Sequence, residues 1–281
     1  LRRNPFPHHG SFPVGDPDEE TYAMLLVGRD ALRAELDRRL VSLREGESSA
    51  VLLLVGDYGA GKTHALKFLE HAARRRYDGV LPIYVKTMRK ASVLELYKQV
   101  LDSLESALGR EFLVTLAGQA VSKPTSRLRS FPDMLRALVG VASEDPAAMR
   151  WLRGDPISDS DRRRLKLVKD IDDSTAVDAL AILVDLLWRV RRRKLLLLVD
   201  ELEEALVRSR REEAASFYAD LRQLVDKLPE GAMVVIATTP LALKDPERGL
   251  VALSPALDSR LWGSWDVVRL EPCLLYTSPS P

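Results

Sequence analysis

The chain has 281 residues, of which 46% are hydrophobic, 30% charged and 6% aromatic, a balance that supports a packed core and argues against disorder. Forty-two Lys and Arg against 41 Asp and Glu leave a formal net charge of +1, so no global field draws the molecule onto nucleic acid or an anionic membrane, and any such contact must be local. A single cysteine, Cys273, excludes an internal disulfide and a cysteine metal cluster, and the longest apolar runs fall far short of the roughly 18 residues that a spanning helix needs. With no signal-peptide pattern near the start, a cytoplasmic protein with no membrane partner is expected.

Residues 1–27 contain NPFPHHGSFPVGDP and read as an extended arm. His8 and His9 lack Asp, Glu or Cys at ligand spacing, so they read as polar loop rather than a metal site. A helix follows, with Asp30 as its expected N-cap and Leu32, Leu36, Leu40 and Leu43 on one stripe. From Ala50 the pattern turns α/β. Val51–Val55, Val80–Val85, Leu195–Val199 and Met233–Ala237 are strand-length apolar runs with little alternation, as expected where helices cover both faces of a parallel sheet. Amphipathic helices separate them: one marked by Ala65, Leu66, Leu69, Ala72 and Ala73, one opened by a Ser92–Glu95 capping box, and others near 174–190 and 212–228. The stretch 110–172, between the second and third strands, shows only short helical patterns and reads as a helical insertion on a core spanning 28–271. The last strand is WDVVRL.

The strongest chemical signal is GDYGAGKT, Gly56 to Thr63, directly after the strand VLLLV and before an amphipathic helix. It fits G-x-x-x-x-G-K-[ST] in the strand-loop-helix setting that a phosphate-binding loop requires. Gly56, Gly59 and Gly61 permit close approach, so the N–H groups of the loop, including those of Asp57, Tyr58 and Ala60, can point at phosphate oxygens. The helix opening at Lys62, Thr63 and His64 adds its positive end. Lys62 supplies charge for the β- and γ-phosphates of a nucleotide, and the Thr63 hydroxyl suits Mg²⁺. The alternative, a glycine-rich turn with no ligand, does not explain the conjunction of lysine, hydroxyl and flanking elements.

A second signal is LLLLVDE, Leu195 to Glu201. The strand places Asp200 at the carboxyl edge of the sheet, where ligands of open α/β sheets bind. Downstream of a phosphate loop this reads as a Walker B strand: Asp200 holds Mg²⁺ and Glu201 orients or deprotonates the attacking water. A third strand, MVVIATTP, ends in Thr238 and Thr239. One of these hydroxyls can meet the attacking water or γ-phosphate, or both simply cap the strand before Pro240.

This order of motifs, followed by SPALDSRL from Ser254 to Leu261, resembles an AAA+ ATPase core of the initiator-like or STAND-like kind. GDYGAGKTHAL, LLLLVDELEEAL, VIATTP and DPERGL…ALDSRL are similar to the ATP-binding proteins of BREX phage-defence systems. The resemblance implies an α/β P-loop fold with a parallel five-stranded sheet of order 5-1-4-3-2, ATP and Mg²⁺ as ligands, nucleotide bound at a subunit junction in a homo-oligomer or with a partner ATPase subunit, and hydrolysis that remodels or loads a partner. It puts Thr238 in a γ-phosphate-sensing role. Arg260 falls where such proteins place an arginine finger, with Arg248 as a weaker candidate and an ordinary salt-bridged arginine as the alternative. Two departures stand out: no helical lid with a further sensing arginine follows the last strand, and the insertion sets Asp200 far from Lys62 in sequence. The final nine residues, Cys273 to Pro281 (CLLYTSPSP), resemble a translated sequencing adapter and read as a non-native tail.

Three other readings stay in view. One is an ATP-dependent switch that hydrolyses slowly. A second is a DNA-associated loader, for which the basic triplets Arg74–Arg76, Arg162–Arg164 and Arg191–Arg193 could meet phosphates, although no helix-turn-helix or aromatic stacking pattern accompanies them. A small-molecule kinase is disfavoured because no Arg-rich lid follows the third strand.

Overall fold

Five parallel strands lie side by side in one sheet. The computed structural model describes residues 26, 29–46, 50–86, 88–229, 231–246, 249–254 and 266–271. The strands are β1 (Ala50–Gly56), β2 (Val80–Val85), β3 (Lys194–Val199), β4 (Ala232–Thr238) and β5 (Asp266–Leu270), in the order β2-β3-β4-β1-β5. That is the expected order 5-1-4-3-2 read from the other edge. Every residue of β3 and β4 is buried, which is why neither shows polar alternation. Pro82 is tolerated because β2 is an edge. The amides of Lys194 and Asp200 bond to Gly79 O and Val85 O, so alternate residues from 79 to 85 face β3, and Pro82 meets the open side where no ladder donor is missed.

In chain order the helices are α1 (Asp30–Glu45), α2 (Lys62–Arg76), α3 (Val93–Leu108), α4 (Arg110–Ser122), α5 (Ser126–Arg129), α6 (Pro132–Ala142), α7 (Pro146–Leu152), α8 (Asp159–Arg164), α9 (Asp173–Arg191), α10 (Leu202–Arg208), α11 (Arg211–Lys227), α12 (Pro240–Lys244) and α13 (Leu250–Leu253). The α1 and α2 side chains Leu36, Leu40, Leu66 and Leu69 bury against Leu52, Leu54, Leu196 and Leu198 on one face of the sheet. On the other face, Val51, Leu53, Ile83 and Leu197 share one continuous core with α3, α9, α10, α11 and the helices of the insertion. Leu26, within the stretch read as an arm, is buried in the first of these clusters.

One expectation is corrected at α1. Asp30 is the first helical residue and not the cap; Arg29, at φ −130, occupies the cap position without a side-chain hydrogen bond. Asp30 instead places its charge in the first turn, against the positive end of the helix. At the Ser92–Glu95 start of α3, the Ser92 hydroxyl does accept from the Glu95 amide, at 3.2 Å. The far end of α1 is closed by Lys194, whose Nζ donates to Leu43 O and Arg44 O, each at 2.7 Å.

The insertion is tied to α3 by side-chain bonds and braced internally by another. Buried Tyr97 donates to Leu152 O at 2.5 Å, Trp151 Nε1 donates to Lys169 O at 2.9 Å, and Arg153 pairs with Glu105 at 2.6 Å. Its basic triplet is occupied locally: Arg162 pairs with Asp159 and Asp170, Arg163 donates to Asp159 O, and Arg164 pairs with Asp145 and Asp161. Among the described residues no helix is long and apolar enough to cross a membrane. The arm up to residue 25, the Cys273–Pro281 tail, Arg248 and Arg260 lie outside the described residues.

Candidate functional site

The register of the sheet sets four strand ends in one row. Val55 lies opposite Thr238, Val199 opposite Ile236, and Val85 opposite Val199, so the loop after β1, Asp200 after β3 and Thr238 at the end of β4 share the carboxyl edge. Lys62 and Asp200, 138 positions apart in sequence, come to the same edge because β4 alone separates the strands they follow.

The loop from Gly56 to Gly61 turns sharply from β1 into α2. At Gly56 a Cβ would stand 2.9 Å from the Leu270 carbonyl oxygen and from the Ala60 Cβ, so glycine is what fits between its β5 partner and the turn. Gly61 caps α2 at φ 85, a left-handed conformation that glycine adopts without strain. Asp57, Tyr58 and Gly59 are exposed, Ala60 is fully buried beneath them, Thr63 is exposed at the first turn of α2, and His64 is half-buried. An apolar-walled cleft of about 280 Å³, formed by Leu53, Val55, Pro240, Leu243 and Val267, borders the first two loop residues. The loop thus faces an apolar space on one side and a charged one on the other.

The charged side centres on Lys62, which is only 8% exposed. Its Nζ donates to Gly56 O at 2.8 Å and to Asp57 O at 3.2 Å, and stands 5.4 Å from the centroid of the exposed Tyr58 ring. The ammonium is therefore folded back onto its own loop. Asp200 is 2% exposed; its Oδ2 accepts from the Tyr84 hydroxyl at 2.7 Å and its Oδ1 from the Glu201 amide at 3.0 Å. Burial, reinforced by the adjacent Asp200 charge, pushes the Tyr84 phenol well above its ordinary range, so Tyr84 remains a donor and Asp200 is held as an oriented acceptor. Lys67 lies 3.9 Å from the Tyr84 ring centroid. Glu201 is half-buried at φ 51, a left-handed backbone that reorients the chain from β3 into α10.

The two threonines separate. Thr239 accepts from the Ala242 amide at 3.2 Å and caps α12. Thr238 is 2% exposed and lies opposite Val55, next to the start of the loop. Three further groups escaped the sequence reading. Tyr84 orients Asp200 from 116 positions away. Glu203 is 6% exposed, with Oε1 4.0 Å from Lys62 Nζ and Oε2 without a partner among the described residues. Burial raises the Glu203 pKa, opposed by its own backbone amide and the Lys62 charge and supported by Asp200 and Glu201. Arg29 donates to Glu271 O at 2.8 Å and sets its guanidinium beside Gly61. A polar Tyr in an otherwise apolar strand and the second acid pair in DELEE were the visible signals for the first two; Arg29 had none.

Comparison with known proteins gives three results. The family described as "BREX system ATP-binding protein BrxC/D" matches residues 18–112 and 134–269. None of the curated proteins matches the chain. Among solved structures, the Aeropyrum pernix ORC2 protein is similar at 18% identity, with a TM-score of 0.49 in its ADPNP-ADP complexes, over 88% of this chain and 48% of that one. In its ADP form the TM-score is 0.45 over 86% and 48%. The chain spans about half the length of these structures.

Proposed function

The chain belongs to the BREX system ATP-binding protein BrxC/D family, and from that premise we propose that it binds ATP with Mg²⁺ on the loop Gly56–Thr63, hydrolyses it, and uses the cycle to remodel or load a partner in phage defence. The observation that carries this reading is the convergence of Lys62, at the start of α2, with Asp200 and Thr238 on one edge of the sheet.

The residues suit the ligands. The exposed residues Asp57, Tyr58 and Gly59 offer backbone amides to phosphate oxygens, while the Ala60 amide closes the turn onto Asp57 O at 3.1 Å, and an exposed hydroxyl, Thr63, together with an oriented carboxylate, Asp200, forms the all-oxygen donor set that Mg²⁺ takes. When bound, the metal supplies positive charge against the phosphates. Lys62 leaves the Gly56 and Asp57 carbonyls and turns its ammonium to the β- and γ-phosphates. Glu201, beside Asp200, holds the attacking water and takes its proton. Thr238 offers its hydroxyl to the γ-phosphate side of the site. Arg260 and an oligomeric junction belong to the same reading, with the arginine supplied to a neighbour's γ-phosphate.

The test is calorimetric ATP binding together with phosphate release in the full chain. Lys62→Ala is expected to weaken binding about a hundredfold, into the millimolar range, whereas Glu201→Gln keeps binding and loses at least about a hundredfold in turnover. Undiminished turnover in Glu201→Gln would overturn the hydrolytic assignment, and unchanged binding in Lys62→Ala the site itself.

A further inference from the structure

The hydrolytic parts leave one buried charge unexplained. Glu203 stands three residues beyond Asp200, in the first turn of α10, at 6% exposure. Among the described residues its Oε2 has no hydrogen-bond partner, and its Oε1 lies 4.0 Å from Lys62 Nζ. A buried carboxylate with an unpaired oxygen is costly, and a nearby cation is what offsets the cost. The Lys62 ammonium has three protons. Two go to Gly56 O and Asp57 O, and the Glu203 carboxylate is the anion beside it. Two loop carbonyls and one carboxylate therefore surround the cation that an incoming phosphate must recruit.

Resting on the nucleotide reading above, we propose that Glu203 is a positioning residue that holds Lys62 folded on its own loop and competes with nucleotide phosphates for its charge. The competition sets how tightly the site retains nucleotide and how readily it lets product go. As phosphate arrives, Lys62 leaves Glu203; as it departs, Glu203 takes the ammonium back. Glu203 thus favours the emptied site, a contribution distinct from that of Glu201.

The experiment measures ATP and ADP affinity, ADP release and turnover in the full chain with Glu203→Gln, which removes the charge and keeps the shape. ADP and ATP are expected to bind about 5- to 10-fold more tightly and ADP to leave correspondingly more slowly, while melting temperature holds or rises. Glu203→Asp keeps the charge but shortens its reach by one methylene, and is expected to move affinity the same way by a smaller factor. In a Lys62→Met background, with ADP titrated to millimolar concentration, the gain from Glu203→Gln is expected to shrink to under twofold, because the two residues act as a pair. Unchanged or weaker affinity in folded Glu203→Gln overturns the proposal, as does an undiminished gain without Lys62. Loss of turnover at unchanged affinity overturns it too, by making Glu203 part of the hydrolytic machinery. A wild-type chain that binds neither nucleotide overturns the nucleotide reading itself, an outcome separate from all of these.

Discussion

Two adjacent threonines at the end of β4 look alike in sequence and occupy different chemical positions. Thr239 spends its hydroxyl on the Ala242 amide, so its loss weakens a helix start. Thr238 is buried to 2% and sits at the row of strand ends, opposite Val55 of β1. Thr239→Ala is therefore expected to cost about 1 kcal/mol, the usual worth of a cap, and to lower the melting temperature by about 2–4 °C with turnover nearly intact. Thr238→Val keeps the β-branched shape that fits a strand and removes only the hydroxyl. Stability should stay within about 0.5 kcal/mol, while turnover falls about tenfold or more, as expected for losing a hydrogen bond made only as the reaction proceeds. Melting curves and phosphate-release assays on the same two variants check both halves; the reverse pattern would exchange the roles.

At the scale of elements, the insertion is held by caps and ion pairs whose charge makes it sensitive to acid. Asp145 caps α7 by accepting from the Ala147 and Ala148 amides and pairs with Arg164 of α8. The Arg164 contact and these amides hold its carboxyl at about 2, below its ordinary 3.8. A carboxylate whose folded pKa is depressed stabilises the fold above its unfolded pKa and loses that contribution as pH falls through the folded one. The stabilisation is complete above about pH 4 and disappears toward about pH 2, worth on the order of 1 kcal/mol after solvent screening. Asp145→Asn retains a capping oxygen and loses the charge, so its stability curve should lie below wild type near neutrality and converge with it in acid. Denaturant titrations from pH 2 to pH 6 test this, and parallel curves would refute it. The elements themselves were legible where one signal sufficed. Buried strands announce themselves as continuous apolar runs, and Gly56 to Thr63 carries its turn, cation and helix start within eight residues. Asp30 misled because capping propensity names a residue type, while the backbone of Arg29 decides where the helix begins.

For the whole molecule, what the sequence withheld is what only folding brings together. Tyr84 and Asp200 meet through the pairing of β2 with β3, and Glu203 meets Lys62 because α10 opens directly after β3, at the sheet edge from which the loop after β1 also leaves. No local pattern encodes those distances. The insertion gave the same difficulty on a larger scale: its short helices have no strand to anchor them, yet Leu113, Leu138, Trp151 and Leu152 belong to the same buried cluster as Val51, Leu53 and Leu197 of the sheet. A cluster that runs without a break from strand to insertion couples the two, since neither side can open without exposing the other. Leu138→Ala, a buried truncation in α6, should cost about 2–5 kcal/mol and carry that loss to the nucleotide site. Far-UV circular dichroism, following all helices, and release of a fluorescent ATP analogue, following the loop, are expected to melt together in wild type and to shift down together in the variant. If the helices of the insertion melted first while the analogue stayed bound, the insertion would be an independent unit resting on the sheet, and the continuous core would not be what joins them.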